Sequence, residues 1–145
     1  MTDHRKFLTD ITVRFRDLDA MGHVNNAVYI TYFEEGRKAF FLQLSDKPEG
    51  QQFNFILAHV SCDYLRPVTL RDKVAVQMWI SYIGNKRFDF RYRLISRDDE
   101  SIVYARGESV QVGYDYQTNN SMTLSDEFLK NAAVYVELDE PRKTG

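Results

Sequence analysis

Asp17-Leu18-Asp19-Ala20-Met21-Gly22-His23-Val24-Asn25-Asn26-Ala27-Val28-Tyr29-Ile30-Thr31-Tyr32-Phe33-Glu34-Glu35-Gly36-Arg37 carries the polar chemistry of the chain into its one long apolar helical pattern. The helix is predicted from about Asn26 to about Leu44. Tyr29, Phe33, Gly36 and Phe40 recur on one side of it, and Thr31, Glu34, Glu35 and Lys38 form a polar stripe opposite. Asn25 and Asn26 suit its start, because an asparagine side-chain oxygen accepts a hydrogen bond from a free amide of the first turn. The other free amides and the helix dipole attract negative charge. A carbonyl oxygen that becomes an oxyanion during acyl transfer is a natural occupant of that place. Gly36 weakens a helix by about 1 kcal/mol relative to Ala, which predicts that another backbone, that of a sheet, comes close there.

Working outward, Ile11, Val13 and Phe15 alternate with Thr12, Arg14 and Arg16, predicting a short strand that delivers Asp17 and Asp19 to its end. Ser45 to Asn54, with Pro48 and Gly50, reads as a loop. The period then becomes two. Ile56, Ala58, Val60, Cys62 and Tyr64 give one strand; Val74, Val76, Met78 and Ile80 give another after a turn at Arg71-Asp72. Phe88, Phe90, Tyr92 and Leu94 follow a hairpin at Gly84-Asn85, and Ile102 to Tyr114 gives a last long strand. Ser125 caps a short closing helix to Ala133, and the chain beyond Asp139 is polar and frayed. One strand, one long helix and then consecutive strands make an α+β plan with an antiparallel sheet of about five strands, not a dinucleotide-binding fold. A helix of about 18 residues spans roughly 27 Å, close to the width of five strands at about 4.8 Å each.

The run Asp17-x-Asp19-x-x-Gly22-His23-Val24-Asn25-Asn26-x-x-Tyr29-x-x-Tyr32-x-Glu34-x-x-Arg37 resembles the signature of the hotdog-fold acyl-CoA thioesterases related to 4-hydroxybenzoyl-CoA thioesterase. Tyr64-Leu65-Arg66-Pro67-Val68, Arg71-Asp72, Ile83-Gly84-Asn85-Lys86 and Val110 to Thr118 continue the likeness over nearly the whole chain. The resemblance implies a hotdog fold, an antiparallel sheet wrapped around one long central helix. It implies hydrolysis of an acyl-CoA without a cofactor, in a homodimer or homotetramer with active sites between subunits. In similar proteins the carboxylate at the position of Asp19 attacks the thioester carbonyl or activates a water, and the backbone amide at the position of Asn26 holds the oxyanion. Sequence does not separate the two routes. The H-V-N-N form of the loop resembles fatty acyl members more than aryl ones.

Each candidate also has a plain structural reading. Asp19 could simply make an Asx-turn ahead of the helix. Asp17 is read as holding the loop. His23 could orient substrate or protonate the leaving thiolate, yet a histidine between Gly22 and Val24 is commonly a packed, hydrogen-bonded residue. Tyr29, with Tyr32 and Phe55, is expected to line the acyl pocket. Lys86 and Arg87 are candidates for the coenzyme A phosphates, as are Arg66 and Arg71, against a reading as solvated strand-end charges. Glu34 and Glu35 rival Asp19, because another hotdog branch takes its carboxylate from the helix; an i,i+4 pair from Glu34 to Lys38 is the alternative. Arg37 reads as a structural ion pair, Cys62 as a small buried residue. Asp17, Asp19 and His23 lack further ligands, so no metal site is expected.

Composition bounds the rest. At 145 residues the chain is one domain, residues 1–145, able to bury a core without disulfides. A formal charge of −2 leaves no footprint for nucleic acid. The single cysteine excludes an internal disulfide and fits a reducing, cytoplasmic setting. The polar start, MTDHRKFLTD, lacks a signal-peptide core, and no apolar run reaches a membrane span. Trp79, Tyr82 and Ile83 are expected on an outer sheet face that oligomerisation covers. Three alternatives remain: a thioesterase acting on acyl carrier protein, a noncatalytic acyl-CoA-binding subunit, and a dehydratase. Retained Asp19 argues against the second, and a central helix without histidine argues against the third.

Overall fold

The period-two stretches become the strands of one antiparallel sheet. The computed structural model describes residues 6–45 and 54–138. Strands β1 (Phe7–Ile11), β2 (Phe55–Tyr64), β3 (Val74–Ile83), β4 (Arg87–Ser96) and β5 (Val103–Asp115) lie in the order β1-β3-β4-β5-β2, and the two-residue β6 (Asn120–Ser121) pairs with the end of β5. The sheet therefore has the expected five main strands, with β6 as a short sixth. Helix α1 (Asn26–Leu44) has the expected span, and a second, shorter helix, α2 (Asp126–Ala132), closes the fold. Ser125 caps α2, its hydroxyl accepting from the Phe128 N–H at 3.1 Å. The expected loop through Pro48 and Gly50 and the tail beyond Asp139 lie outside the described residues.

The core lies between α1 and one face of the sheet. Val74, Val76, Met78 and Ile80 of β3 and Phe88, Phe90, Tyr92 and Leu94 of β4 are buried, as the alternation predicts. Phe33 of α1 stacks on Tyr92 with ring centroids 4.6 Å apart. Gly107 of β5 makes that seat: a Cβ there would run into the Phe33 ring and stand 2.8 Å from the Ser61 carbonyl oxygen. At the other end of the helix Phe40 meets Phe7, Phe90 and Tyr135 at centroid distances of 5.4, 5.0 and 5.1 Å. Perpendicular ring contacts of this kind add to the area buried.

Five expectations need correction. The first strand ends at Ile11, because its partner β3 begins at Val74 and the Ile11–Val74 pair is the last rung. The chain then tightens into a 3-10 turn over Phe15–Asp17, and Phe15 is 82% exposed instead of facing inward. Ile83 packs against the core, because a register shift between Ile80 and Tyr82 reverses the alternation and puts Tyr82 on the outer side, where Trp79 already lies. Gly36 meets side chains, not backbone: a Cβ there would lie 2.9 Å from Val76 Cγ1 and 3.2 Å from Met78 Sδ. Arg37 is buried and, among the described residues, donates to the Tyr92 hydroxyl at 3.1 Å instead of forming an ion pair. That hydroxyl lies 2.5 Å from Ser109 Oγ, and Ser109 in turn donates to Gln111. Lys38 pairs with Glu35 at 3.5 Å, an i,i+3 pair one residue nearer than Glu34.

Candidate active site

The loop between the 3-10 turn and α1 is tied down mainly through its backbone. Leu18 bridges Val24 and His23 bridges Thr69, and the Val24 N–H donates to the Val68 carbonyl at 2.8 Å. A turn from Asp19 to Gly22 reverses the chain, with Gly22 at φ +78°, a conformation that glycine adopts without a Cβ penalty. Asp19 stands on this turn, exposed. Its Oδ1 accepts from the N–H groups of Met21 at 2.9 Å and His23 at 3.1 Å. So one carboxylate oxygen makes the Asx-turn, and the other, Oδ2, has no partner among the described residues. The turn orients the carboxylate without consuming it.

Asp17 is different: it is 2% exposed, and both its oxygens are occupied. They accept from Arg14 N–H at 2.9 Å, from the Arg14 guanidinium at 3.0 and 3.2 Å, and from the Tyr32 hydroxyl at 2.8 Å. Burial alone would raise this carboxyl's pKa, but these hydrogen bonds and the Arg14 charge outweigh it and hold the pKa below the ordinary 3.8. A carboxyl lowered in the folded state stabilises the fold above its unfolded pKa and gives that stability up as pH falls through the folded value. Thermal melts from neutral pH to about pH 2 should therefore show the wild type losing stability more steeply below about pH 4 than Asp17→Asn. Parallel acid limbs in the two proteins would refute this role.

Asn25 caps α1, its side-chain oxygen accepting from the Ala27 N–H at 3.0 Å, while its own N–H donates to the Asp17 carbonyl at 2.8 Å. The Val28 N–H donates to the Asn25 carbonyl at 2.9 Å. The Asn26 N–H has no acceptor among the described residues and stands at the positive end of the helix dipole.

Asp19, His23, Asn26, Tyr29 and Tyr64 line one cavity of about 270 Å3, together with Val24, Leu65, Arg66 and Pro67. Tyr29 is buried and donates to the Arg66 carbonyl at 3.1 Å; Tyr64 donates to the Asn26 carbonyl at 2.8 Å. The two rings meet edge to face at 4.9 Å. His23 is exposed, held by its backbone rather than by packing. A larger concavity, about 810 Å3, opens on the outer sheet face around Leu8, Gln77 and the Asp10–Arg97 pair. It lacks a helix start with a free amide, so size does not choose the site.

The other candidates lie apart. Lys86 and Arg87 sit at the β3–β4 hairpin, at the opposite end of the sheet from Asp19; nine steps of strand separate the two ends of β3, roughly 30 Å. Arg87 forms a two-pronged pair with Asp89 at 2.9 and 3.0 Å, and Lys86 reaches Ser121 at 3.5 Å. Glu35 lines a separate depression with Thr9, Arg14 and Tyr32, on the β1 flank of α1. Cys62 sits half-buried near Tyr64, and burial pushes its thiol pKa up to about 11, which leaves it protonated and unreactive at neutral pH. Among the described residues no group of three or more His, Cys, Asp or Glu could hold a metal ion, and no helix is long and apolar enough to cross a membrane. Sequence reasoning did not place Tyr64 on this cavity. Its signal was the Tyr64-Leu65-Arg66-Pro67-Val68 stretch, which ends β2 beside the helix start.

The family model of the thioesterase-like superfamily matches residues 13–132. The chain is 29% identical over 128 residues to 1,4-dihydroxy-2-naphthoyl-CoA hydrolase of Nostoc punctiforme, covering 86% of this chain and 84% of that protein. It is 28% identical over 122 residues to the long-chain acyl-CoA thioesterase FadM of Escherichia coli, covering 82% and 91%. A thioesterase of Thermus thermophilus, solved with coenzyme A and zinc, superposes with a TM-score of 0.78 at 29% identity over 93% of this chain and 97% of that one. With a family match over most of its length and thioesterases among its relatives, the chain belongs to the thioesterase-like superfamily and is a thioester hydrolase.

Proposed function

We propose that this chain, as a single hotdog domain over residues 1–145, hydrolyses an acyl-CoA to the free acid and coenzyme A in the cytoplasm, without a cofactor. The observation that carries the reading is the shared cavity of Asp19 and Asn26, where a carboxylate oxygen and a helix-start N–H are both uncommitted. Asp19 either attacks the thioester carbonyl carbon or takes a proton from a water that attacks it. The carbonyl π electrons move to oxygen, where the Asn26 N–H stabilises the charge. Collapse of the tetrahedral species breaks the C–S bond and expels the thiolate, which takes up a proton. On the nucleophilic route a mixed anhydride with Asp19 remains, and water cleaves it to regenerate the carboxylate. His23 and Tyr29 position the acyl group at the cavity.

Lys86 and Arg87 reach an Asp19 cavity only if a second subunit brings them, so phosphate recognition by these cations is tied to a homodimer or homotetramer. The outer side of β2, which has no partner strand among the described residues, supports such pairing. Within one chain, Arg66 is the cation that lines the cavity.

Release of free thiol from a panel of aliphatic acyl-CoA, aryl-CoA and acyl carrier protein thioesters tests the reading. Steady turnover of at least one coenzyme A thioester is expected. Turnover of carrier-protein thioesters alone would replace the substrate class, and acyl-CoA binding without turnover of any substrate would leave a noncatalytic subunit.

A further inference from the structure

We infer that Tyr64 is a positioning residue for catalysis: its hydroxyl, reaching from the end of β2 to the Asn26 carbonyl, sets the direction of the Asn26 N–H that receives the oxyanion. This rests on the proposed thioesterase reading and adds to it a residue from a different strand. The Asn26–Ala27 peptide is pinned at both ends, its carbonyl by Tyr64 at 2.8 Å and its N–H by the Asn25 side chain at 3.0 Å. The preceding residue is pinned as well, the Asn25 N–H by the Asp17 carbonyl and the Asn25 carbonyl by the Val28 N–H. Asn26 therefore hangs between two fixed peptide planes, and its free N–H points where those planes send it. Without the Tyr64 hydroxyl the Asn26 carbonyl keeps only helix bonding at a fraying first turn.

Tyr64 is itself braced. Its ring stands edge to face on Tyr29 at 4.9 Å, and Tyr29 donates back to the Arg66 carbonyl at 3.1 Å. Two reciprocal tyrosine bonds thus join the end of β2 to the start of α1. The effect is geometric, because the carbonyl that Tyr64 holds belongs to the peptide after the one that carries the Asn26 N–H. An oxyanion donor a few tenths of an ångström out of place loses transition-state stabilisation while the substrate still binds. That distinction separates a positioning role from a substrate contact.

A matched control bond is made to the same strand by a tyrosine just beyond β5. The Tyr116 hydroxyl donates to the Phe55 carbonyl at 2.8 Å, also from an exposed tyrosine to the backbone, at the other end of β2. Tyr64→Phe and Tyr116→Phe each delete one such bond and keep the ring. For Tyr64→Phe, kcat on the best thioester of the panel should fall about tenfold with KM unchanged, and Tyr116→Phe should keep the wild-type kcat. Amide hydrogen exchange, read residue by residue, should show the Ala27 N–H exchanging about tenfold faster in Tyr64→Phe alone. A raised KM at unchanged kcat, or equal effects of the two variants, overturns the inference. The exchange measurement needs no turnover, so unchanged Ala27 protection sinks the positioning role even in a protein that cleaves nothing. A wild type without thioesterase activity sinks the function reading separately.

Discussion

Asp19→Asn should lower kcat at least a hundredfold, about 2.7 kcal/mol of transition-state stabilisation, while leaving the melting temperature where it was. Both halves follow from how the carboxylate is used. Oδ1 accepts two backbone N–H bonds, and an asparagine oxygen can go on accepting them, so the turn survives. Oδ2 carries the available charge, and an amide nitrogen in its place neither attacks a carbonyl nor accepts a proton from water. Glu35→Gln is the companion. Its carboxylate is engaged with Lys38 on the opposite flank of α1, and its loss should not change kcat. Wild-type turnover in Asp19→Asn, or a collapse in Glu35→Gln, would move the chemistry to the helix.

Phe40→Ala should be the most costly single truncation in stability, at about 3–5 kcal/mol. Phe40 is fully buried and its ring touches Phe7 of β1, Phe90 of β4 and Tyr135 beyond α2, so one side chain joins the helix to three other parts of the chain. No neighbour is free to refill the space: Phe41 is already stacked on Phe55 at 5.4 Å, and Phe88 packs on Phe128 at 4.7 Å. At about 2–4 °C per kcal/mol for a chain of this size, the melting temperature should drop by roughly 10 °C. A loss below about 1 kcal/mol in urea titrations would mean that the cluster repacks and that its geometry is not what holds the helix.

Where local pattern and tertiary partner agreed, the fold was legible from residues alone. The 3.6 period and the two asparagines placed α1 at Asn26–Leu44, the period of two placed β3 and β4, and Ser125 marked the start of α2. What escaped depended on partners that a one-dimensional pattern does not contain. Ile11, Val13 and Phe15 alternate like a strand, but β3 offers rungs only as far as Val74. Ile83 changes face through a bulge that Ser81 gives no sign of. The hydroxyl that Arg37 meets belongs to Tyr92 of β4, far along the chain. At the site, Asp19 and Asn26 lie within one motif and were readable together. Tyr64 entered only because strand β2 happens to end over the helix start, and Lys86 and Arg87 lie at the wrong end of their own sheet.

Helix α1 joins two regions with separate duties. Asn26 and Phe40 are fourteen residues apart, roughly 21 Å along the axis, well beyond the distance over which substitutions couple. The aromatic cluster at the far end supplies cohesion, and the reactive turn at the near end is exposed and held mainly by backbone bonds. Exposed residues near that turn, His23 and Leu65 among them, can therefore change with small stability losses that the distant cluster absorbs, whereas buried Tyr29 cannot. Room for change around the candidate site is thus built into the length of a single helix.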